Sequence, residues 1–448
     1  MRIAWFSPYP PSTSGIAAYS AELLLLLRAR HTIDVFLDHA PQLEERGNWS
    51  AHDFVWKHRR APYDLTVYQL GNASCHDYMW AYLFRYPGLV ILHDAQLHQA
   101  RALWLTKRWK PRTADYLAEF QANHPTAPPS VGLLVAAGLG GSLYHHWPLV
   151  KLVLEAARLS AVHNRRVMLD LSHQYPNAAI DAIEMGVQSP SSDPAGRGGQ
   201  TVDVRARHSI PADAVVIAAF GGITREKRIP ELLAAVGSVA AADSRVHVLL
   251  VGAEATHYDV RGDIRAHVRE DRVHLAGFVP DADLPAYLAA SDVCSCLRWP
   301  TNRETSASWL RCLSAAKATI VSDLTHLTDV PTVDPRDWRV LAAGLDDGEP
   351  VAVSIDLLDE QHSLRLALAR LTAEPLLRRR LGRAARAWWE AHHRLEPMAE
   401  AYERLFTRAT ALNPPTSRLP PHLVADVTAT TRALLAPFGL EEPRFLFP

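Results

Sequence analysis

One strand, loop and helix junction in the second half of the chain has the residue types that bind a phosphate group. The apolar run Val215–Phe220 leads into Gly221-Gly-Ile-Thr-Arg-Glu-Lys227, and Pro230 then suits the first turn of a helix. Such a junction points backbone N–H groups and the positive end of a helix dipole at one place, and glycine lets a bulky anion approach the chain. The loop therefore indicates an anion site.

The beginning of the chain has the same arrangement. The apolar run Ile3–Phe6 leads through a Pro-rich loop ending at Gly15 into a segment whose apolar residues, among them Tyr19 and Leu23, recur at helical spacing. Two such junctions facing each other across a cleft would suit a diphosphate.

Glu304 is the acidic residue that stands out in the second half. It follows the apolar run Val293–Leu297, and Thr305 or Ser306 can cap the helix that comes next. Ligands of open α/β sheets bind at this carboxyl edge of the strands. On this pattern alone, Glu304 could equally be a carboxylate that stabilises a helix N-terminus.

Short apolar runs alternate with stretches of helical spacing throughout, which predicts parallel strands covered by helices. The predicted strands are Ile3–Phe6, Ile33–Leu37, Leu65–Gln69, Leu89–His93, Val167–Leu171, Val215–Phe220, Val246–Val251, Val273–Leu275, Val293–Leu297 and Thr319–Ser322. They form an α/β protein with two doubly wound domains, 1–190 and 200–395, joined by a Ser/Gly/Pro linker at 189–199.

A C-terminal extension follows these domains. A helical stretch from Glu360 to about Ala409 contains the pair Trp388 and Trp389, which we expect to pack in a domain core. Residues 396–448 are predicted to form a helix and a loosely attached tail that packs back toward the N-terminal domain.

The composition excludes several classes of protein. The 448 residues carry a formal charge of −1, with 47 basic and 48 acidic residues, which does not suit a general nucleic-acid binder. Hydrophobic residues at 48% and charged residues at 21% exclude a disordered chain. Four cysteines without zinc-ligand spacing, and the lack of a signal peptide or a run long enough to span a membrane, favour a cytoplasmic protein.

Six short motifs, in this order, resemble the retaining glycosyltransferases of family 4, which have the GT-B fold of two facing Rossmann-like domains. The similarity covers about residues 1–400. The motifs are Ser7-Pro-Tyr-Pro-Pro-Ser-Thr-Ser-Gly15, Leu92-His-Asp94, Phe220-Gly-Gly-Ile-Thr-Arg-Glu-Lys227 with Glu231-Leu-Leu, Leu250-Val-Gly252, Gly277-Phe-Val279 and Arg298-Trp-Pro-Thr with Glu304-Thr-Ser.

The resemblance implies an enzyme that moves a sugar from a nucleotide diphosphate sugar to an acceptor hydroxyl, retains the anomeric configuration and needs no metal or other cofactor. Its catalytic residues would be Glu304, which bonds donor hydroxyls, Lys227, which offsets charge on the leaving diphosphate, and His93, which reaches the donor sugar. His93 could instead be a strand-end histidine bonded to backbone. The acceptor would be a sugar, a small molecule or a lipid-linked compound, with at most peripheral membrane contact and no nucleic acid.

The resemblance also implies a set of residues that bind the two substrates. The donor-binding positions would be Gly15, Gly222, Arg225, Gly252, Phe278, Val279, Thr305, Ser306 and Cys312, and the acceptor would meet Asp94. Asp94 could equally cap a helix.

Two positions depart from the pattern of the family. The family usually has arginine at Gly222, so one cation is missing unless Arg225 or Arg228 replaces it. Cys312 stands where a glutamate holds the nucleotide ribose in relatives, which puts nucleotide affinity in doubt.

Some alternatives remain open. Asp281-Ala-Asp283 imitates a metal motif, although helix capping explains it better. The basic and aromatic stretch Trp104–Arg112 could bind a membrane surface or an acidic acceptor, but a solvated helical face is favoured. The same fold would also serve a sugar epimerase or phosphorylase, or a nucleotide-sugar-binding protein with little turnover.

Overall fold

The computed structural model describes residues 1–38, 47–107, 110–189, 203–341, 348–425 and 429–439. Its strands are β1 Arg2–Phe6, β2 Thr32–Leu37, β3 Asn48–Ser50, β4 Leu65–Leu70, β5 Leu89–Leu92, β6 Leu159–Val162, β7 Ile180–Ala182, β8 Val215–Phe220, β9 Val246–Val251, β10 Val273–Gly277, β11 Val293–Cys296, β12 Ala318–Ser322, β13 Thr332–Val333 and β14 Ala352–Ile355.

Helices connect most of these strands. They are α1 Gly15–Leu27, α2 Phe54–Arg60, α3 Met79–Leu83, α4 His98–Thr106, α5 Thr113–Asn123, α6 Pro129–Ala136, α7 Leu143–His146, α8 Lys151–Ala156, α9 Arg165–Gln174, α10 Val204–Arg207, α11 Ile229–Ala240, α12 Val260–His267, α13 Leu284–Ala290, α14 Ala307–Ser314, α15 Glu360–Ala373, α16 Pro375–His392, α17 Leu395–Ala411, α18 Pro421–Val424 and α19 Ala429–Leu435.

The chain forms two compact units, each around one seven-stranded sheet. The first unit comprises Met1–Glu184, Asn302–Thr305 and Glu396–Pro448, and the second comprises Met185–Thr301 and Ser306–Leu395. The sheet orders are β3-β2-β1-β4-β5-β6-β7 and β10-β9-β8-β11-β12-β14-β13, with parallel pairing throughout. The strand order reverses beside β1 and beside β8, which is where doubly wound sheets bind ligands. The predicted α/β architecture is therefore confirmed.

The central strands are apolar because helices cover both faces of each sheet. Every residue of β5 and of β9 is buried, including the fully buried Leu89 and Leu250. In the first unit, Phe6 stacks on Phe36 with ring centroids 5.1 Å apart and on Tyr68 at 4.9 Å. This packing fixes the loops that leave the carboxyl ends of the strands.

One predicted strand is wrong. Val167–Leu171 lies inside α9, where Val167 and Leu171 are buried and Leu169 is 50% exposed. Residues four apart lie on the same face of a helix, so the two buried positions fit a helix and not a strand. The strand at this place in the sheet is β6, which the sequence analysis missed.

The C-terminal extension also differs in detail from its prediction. The helical stretch after Glu360 is three helices, and Pro375, which cannot continue a helix from its N-terminal side, begins the second. The tail is bound to the first unit: Leu423 is 6% exposed within its core, His422 Nε2 lies 2.8 Å from Glu119 Oε1, and Arg85 donates to Ala425 O at 2.8 Å. The predicted linker at 189–199 lies outside the described residues except for Ser189.

Candidate functional site

Two glycine loops leave neighbouring strands of the second unit and touch backbone to backbone. Gly221 follows β8 with φ of +87°, and its N–H donates to Val251 O at 2.8 Å. A Cβ on Gly252, after β9, would lie 2.2 Å from Gly221 O. Only glycine at 252 allows this approach, so the two loops form one continuous backbone surface at the edge of the sheet.

Lys227 lies in a turn after β8, and its side chain reaches back to the end of that strand. Its Nζ donates to Phe220 O, and a Cβ on Gly221 would lie 2.5 Å from that Nζ and 3.2 Å from Ser308 Oγ. Ser308 is in the first turn of α14, whose N-terminus is capped by Ser306 Oγ accepting from Trp309 N at 3.3 Å. An ammonium group and a helix N-terminus therefore meet beside Gly221, which is the chemistry of a phosphate site.

The two arginines that could replace the cation missing at Gly222 have different surroundings. Arg228 pairs with Glu231 at 2.8 Å and with Glu360, so its guanidinium is already used within the unit. Arg225 is exposed, as Gly222 is. Only Arg225 of the two remains a candidate for binding the diphosphate.

The loop after β10 extends this edge. Gly252 and Gly277 form an isolated antiparallel bridge, and Gly277 has φ of +69°. Phe278 is 58% exposed, whereas Val279 is partly buried against the core. Phe278 and Val279 are predicted donor-binding positions, and an exposed aromatic ring next to two glycines can stack on a planar base.

Cys312 does not line this edge. It is 0% exposed and packs in a core cluster with Cys294, and Cys296 lies partly buried against the same cluster. Hydrogen bonds with the sulfurs of Cys294 and Cys296, together with burial, raise the pKa of the Cys312 thiol well above its ordinary value. The placement of Cys312 beside a ribose is therefore corrected: the thiol is a core group.

In the first unit, Gly15 begins α1. Ser14 Oγ accepts from Ile16 N at 3.3 Å and caps the helix. A Cβ on Gly15 would meet no heavy atom within 4 Å in the described structure. Packing within the described residues therefore does not require glycine at this position.

His93 is held at the end of β5 by a chain of hydrogen bonds. Its Nε2 lies 2.8 Å from Gln69 Oε1, and Gln69 Nε2 donates to the Tyr402 hydroxyl at 3.2 Å. The hydroxyls of Tyr19 and Tyr402 are 2.7 Å apart. Burial, and then the neighbouring His163 and His76, lower the pKa of His93 well below its ordinary value, so its ring is neutral at pH 7.

Asp94 follows His93 in the sequence, and its carboxylate accepts a hydrogen bond from the backbone. Its Oδ2 accepts from Asn72 N at 2.6 Å, and a Cβ on Gly71 would lie 3.1 Å from the same oxygen. The carboxylate therefore binds the loop after β4. The helix that follows, α4, has Leu97 at its N-cap and no side-chain capping bond, so the capping alternative for Asp94 is wrong and the acceptor role stays a prediction.

The short segment Asn302–Thr305 belongs to the first unit and carries Glu304. Ala95 N donates to Asn302 O at 2.8 Å, and Thr305 Oγ1 donates to His163 O at 3.0 Å. Glu304 is half-buried, and its Oε2 accepts from Asn302 N at 2.8 Å. Its carboxylate thus lies on a segment fixed at both ends to residues that follow β5 and β6.

The structure gathers most predicted site residues into two groups. Gly222, Lys227, Gly252, Phe278 and Ser306 lie around one sheet edge of the second unit. Gly15, His93, Asp94, Glu304 and Thr305 lie in the first unit. Sequence reasoning missed His76, His163, Gln69 and Tyr402, which surround His93; a histidine directly after an apolar run was the one available signal, at His163.

The metal-like motif has other partners. Asp281 Oδ1 pairs with Arg311 at 3.1 Å, and Asp283 precedes α13 without a side-chain capping bond. The predicted capping role is therefore wrong in detail.

In the stretch Trp104–Arg112, residues 108–109 lie outside the described residues. No helix in the described part of the chain is long and apolar enough to cross a membrane.

Comparison with known proteins finds a family match that lies mostly in the second unit. Residues 214–353, which are less than half of the chain, match the family described as glycosyl transferases group 1. No curated protein matches the sequence. The expectation of a glycosyltransferase is confirmed at the level of this domain.

Solved structures match nearly the whole chain. Sucrose-phosphate synthase from Thermosynechococcus elongatus has TM-score 0.62 and 18% identity, over 92% of this chain and 99% of its own. HepE from Anabaena in complex with UDP-glucose has TM-score 0.59 and 15% identity, over 91% and 99%. The α,α-trehalose-phosphate synthase from Burkholderia xenovorans, in complex with glucose-6-phosphate, has 0.57 and 12%, over 91% and 99%. At these identities the likeness shows the fold, and it confirms the predicted GT-B fold.

Proposed function

We propose that the protein transfers a glycosyl unit from a nucleotide diphosphate sugar to an acceptor hydroxyl, with retention and without a metal ion, as in family 4. The main observation in support is that Lys227, the two glycine loops and the N-terminus of α14 lie close together at one edge of the sheet. All of them lie within the region that matches a glycosyltransferase family. This group of donors fits a diphosphate better than an uncharged ligand.

The proposed reaction is a front-face substitution, in which the acceptor hydroxyl attacks on the same face of the sugar from which the diphosphate leaves. Each residue of the site would have a separate role in it. Lys227 and the N–H groups near Gly221 would stabilise the negative charge that develops as the diphosphate leaves. Glu304 would bond hydroxyls of the donor sugar. A phosphate oxygen of the departing group would take the proton of the acceptor hydroxyl as the new bond forms on the same face, and so the configuration is retained.

The donor is proposed to be a UDP-sugar, because HepE is bound to UDP-glucose in one matching structure. The acceptor class stays open among sugars, small molecules and lipid-linked compounds, and at most peripheral membrane contact is proposed. A cytoplasmic location is proposed as well, supported by four free cysteines.

The first test is a thermal-shift screen of nucleotide sugars, followed by assay of nucleotide release with and without acceptors. A ligand at 100 times its Kd should stabilise the folded protein by about 2.7 kcal/mol. Lys227→Ala should weaken donor binding and lower turnover by about a hundredfold. Arg265→Ala, which removes an exposed charge from α12 of the same unit, is the matched control and should behave as wild type.

Two results would contradict the proposal. If Lys227→Ala has wild-type kinetics, the diphosphate binds elsewhere. If a nucleotide sugar binds tightly but is neither hydrolysed nor transferred to a broad acceptor panel, the protein is a binding protein and not a transferase.

A further inference from the structure

Arg303 has an uncommon backbone conformation for a residue with a side chain. Its φ is +61°, in the left-handed region, and it directly precedes Glu304 in the segment Asn302–Thr305 of the first unit. A Cβ disfavours this region, which glycine adopts most easily. Such a conformation persists only where the surrounding structure holds it. Contacts with the rest of the first unit must therefore keep Arg303 in place.

An ion pair with a neighbouring helix holds the side chain of Arg303. Its Nη2 donates to Oδ2 of Asp170, which lies on α9. The side chain of Arg303 is 21% exposed and that of Asp170 is 53% exposed. A pair so close to water contributes little to the free energy of unfolding, because solvent screens it and two long side chains lose rotamer freedom. The pair therefore matters for geometry more than for stability.

Both ends of the segment are fixed to the first unit as well. Asn302 O accepts from Ala95 N at 2.8 Å, and Thr305 Oγ1 donates to His163 O at 3.0 Å. His163 lies between β6 and α9, the helix to which Arg303 is paired. Thr305 and Arg303 therefore attach the segment to one continuous piece of chain.

The place of the Glu304 carboxylate depends on the backbone of Arg303. Glu304 Oε2 accepts from Asn302 N at 2.8 Å, so this bond lies within the segment and does not hold it to the rest of the unit. A rotation of the backbone at Arg303 changes the direction in which Glu304 leaves it. Without the ion pair, Arg303 can relax from the left-handed region to an ordinary negative φ, and the carboxylate would then move.

We propose that Arg303 and Asp170 are positioning residues for Glu304. Their ion pair keeps residue 303 in the left-handed conformation, and this conformation sets the place of the carboxylate that would bond hydroxyls of the donor sugar. The inference rests on the proposed function. It adds two residues to the site, which act through Glu304 and not on the substrate.

Two single variants break the pair from its two sides. Arg303→Ala removes the guanidinium, whereas Asp170→Ala leaves the sequence of the segment unchanged. Each should lower kcat about tenfold in the nucleotide-release assay, since a 1 Å misplacement of a catalytic group can cost about a hundredfold. The donor KM should change little, because the contacts proposed for the diphosphate are intact. The melting temperature should fall by at most about 3 °C.

A direct role of Arg303 in binding predicts different kinetics. If the guanidinium bound the diphosphate, Arg303→Ala would raise the donor KM. Asp170→Ala would then release the guanidinium and leave turnover unchanged or higher. Either result would overturn the inference.

A double-mutant cycle tests whether Arg303 acts through Glu304. The effect of Arg303→Ala is measured in the wild-type chain and in a chain carrying Glu304→Ala, which has no carboxylate to position. A positioning role predicts that Arg303→Ala costs little turnover in the second background. A role independent of Glu304 predicts that the two losses multiply, and that outcome contradicts the inference.

A matched control lies in the same unit. Arg408 pairs with Asp181, and their side chains are 50% and 36% exposed. Arg408→Ala removes an ion pair of the same kind that includes no residue of the segment. It should leave kcat unchanged, and a loss equal to that of Arg303→Ala would show that breaking any such pair has this effect and would overturn the inference.

Failure of the inference and failure of the proposed function give different results. If the wild-type protein turns over a nucleotide sugar and both variants of the pair have wild-type kinetics, the inference fails and the proposed function stands. If the wild-type protein binds no nucleotide sugar, the proposed function fails.

Discussion

A substitution at Cys312 tests whether this residue belongs to the core of the second unit or reaches the donor. It is 0% exposed among the buried residues Tyr287, Leu288 and Cys294. In relatives, the resemblance implies a glutamate at this position that binds ribose, so Cys312→Glu would be expected to tighten donor binding. The structure instead predicts that the new carboxylate enters the core and destabilises the unit.

The magnitude has two parts. Forcing extra atoms into a packed core costs about 1–3 kcal/mol. A buried glutamate escapes ionisation by taking up a proton, and against an unfolded pKa of about 4.3 this costs ~1.4 kcal/mol for each pH unit, or about 4 kcal/mol at pH 7.5. The ammonium of Lys317 donates to Ser291 O at 2.8 Å and interacts electrostatically with Cys312. Its positive charge would offset part of that cost. The total is a large share of the ~5–15 kcal/mol that stabilises a domain.

The charge penalty has a definite pH dependence. The folded-state pKa of the new glutamate is raised above the unfolded value, so the penalty is absent below about pH 4.3 and grows as the pH rises toward the folded pKa. Between pH 5.5 and 7.5 the variant should lose about 2.7 kcal/mol more than a neutral isostere does.

Urea unfolding of Cys312→Glu, Cys312→Gln and wild type at both pH values measures this difference. The Gln variant has the same size without the charge, so it removes the packing cost from the comparison. Equal stability of the Glu and Gln variants at both pH values would refute the burial argument. If the Glu variant also bound the nucleotide sugar more tightly, residue 312 would reach the donor after all.

Three further predictions test the proposed site. Glu304→Gln should keep the fold, because an amide oxygen can still accept from Asn302 N, and should lower turnover about a hundredfold in a nucleotide-release assay; wild-type turnover would end its role. Gly15→Ala should leave the melting temperature unchanged, since its Cβ meets no atom within 4 Å, but weaken donor binding by calorimetry; equal affinity would show that no ligand approaches Gly15. Transfer should persist in excess EDTA, and a loss restored by Mg²⁺ or Mn²⁺ would redirect attention to Asp281 and Asp283.

The sequence predicts the central strands because their pattern is local. β8 is a continuous apolar run, and in β9 only His247 interrupts one, as expected when helices cover both faces. β3 and β7 have three residues each, with polar residues in the runs Asn48–Ser50 and Ile180–Ala182, so no pattern marks them. In β6, Ser160 interrupts a run of only four residues.

In the candidate site, too, the residues that could be predicted are those whose neighbours lie close to them in the sequence. Lys227 could be predicted because its charge and the glycines that surround it lie within one loop. The contribution of Tyr402 could not, since it depends on a helix far along the chain that reaches Gln69 beside His93. The same holds for His163, whose tautomer is set by the carbonyl of Ile183.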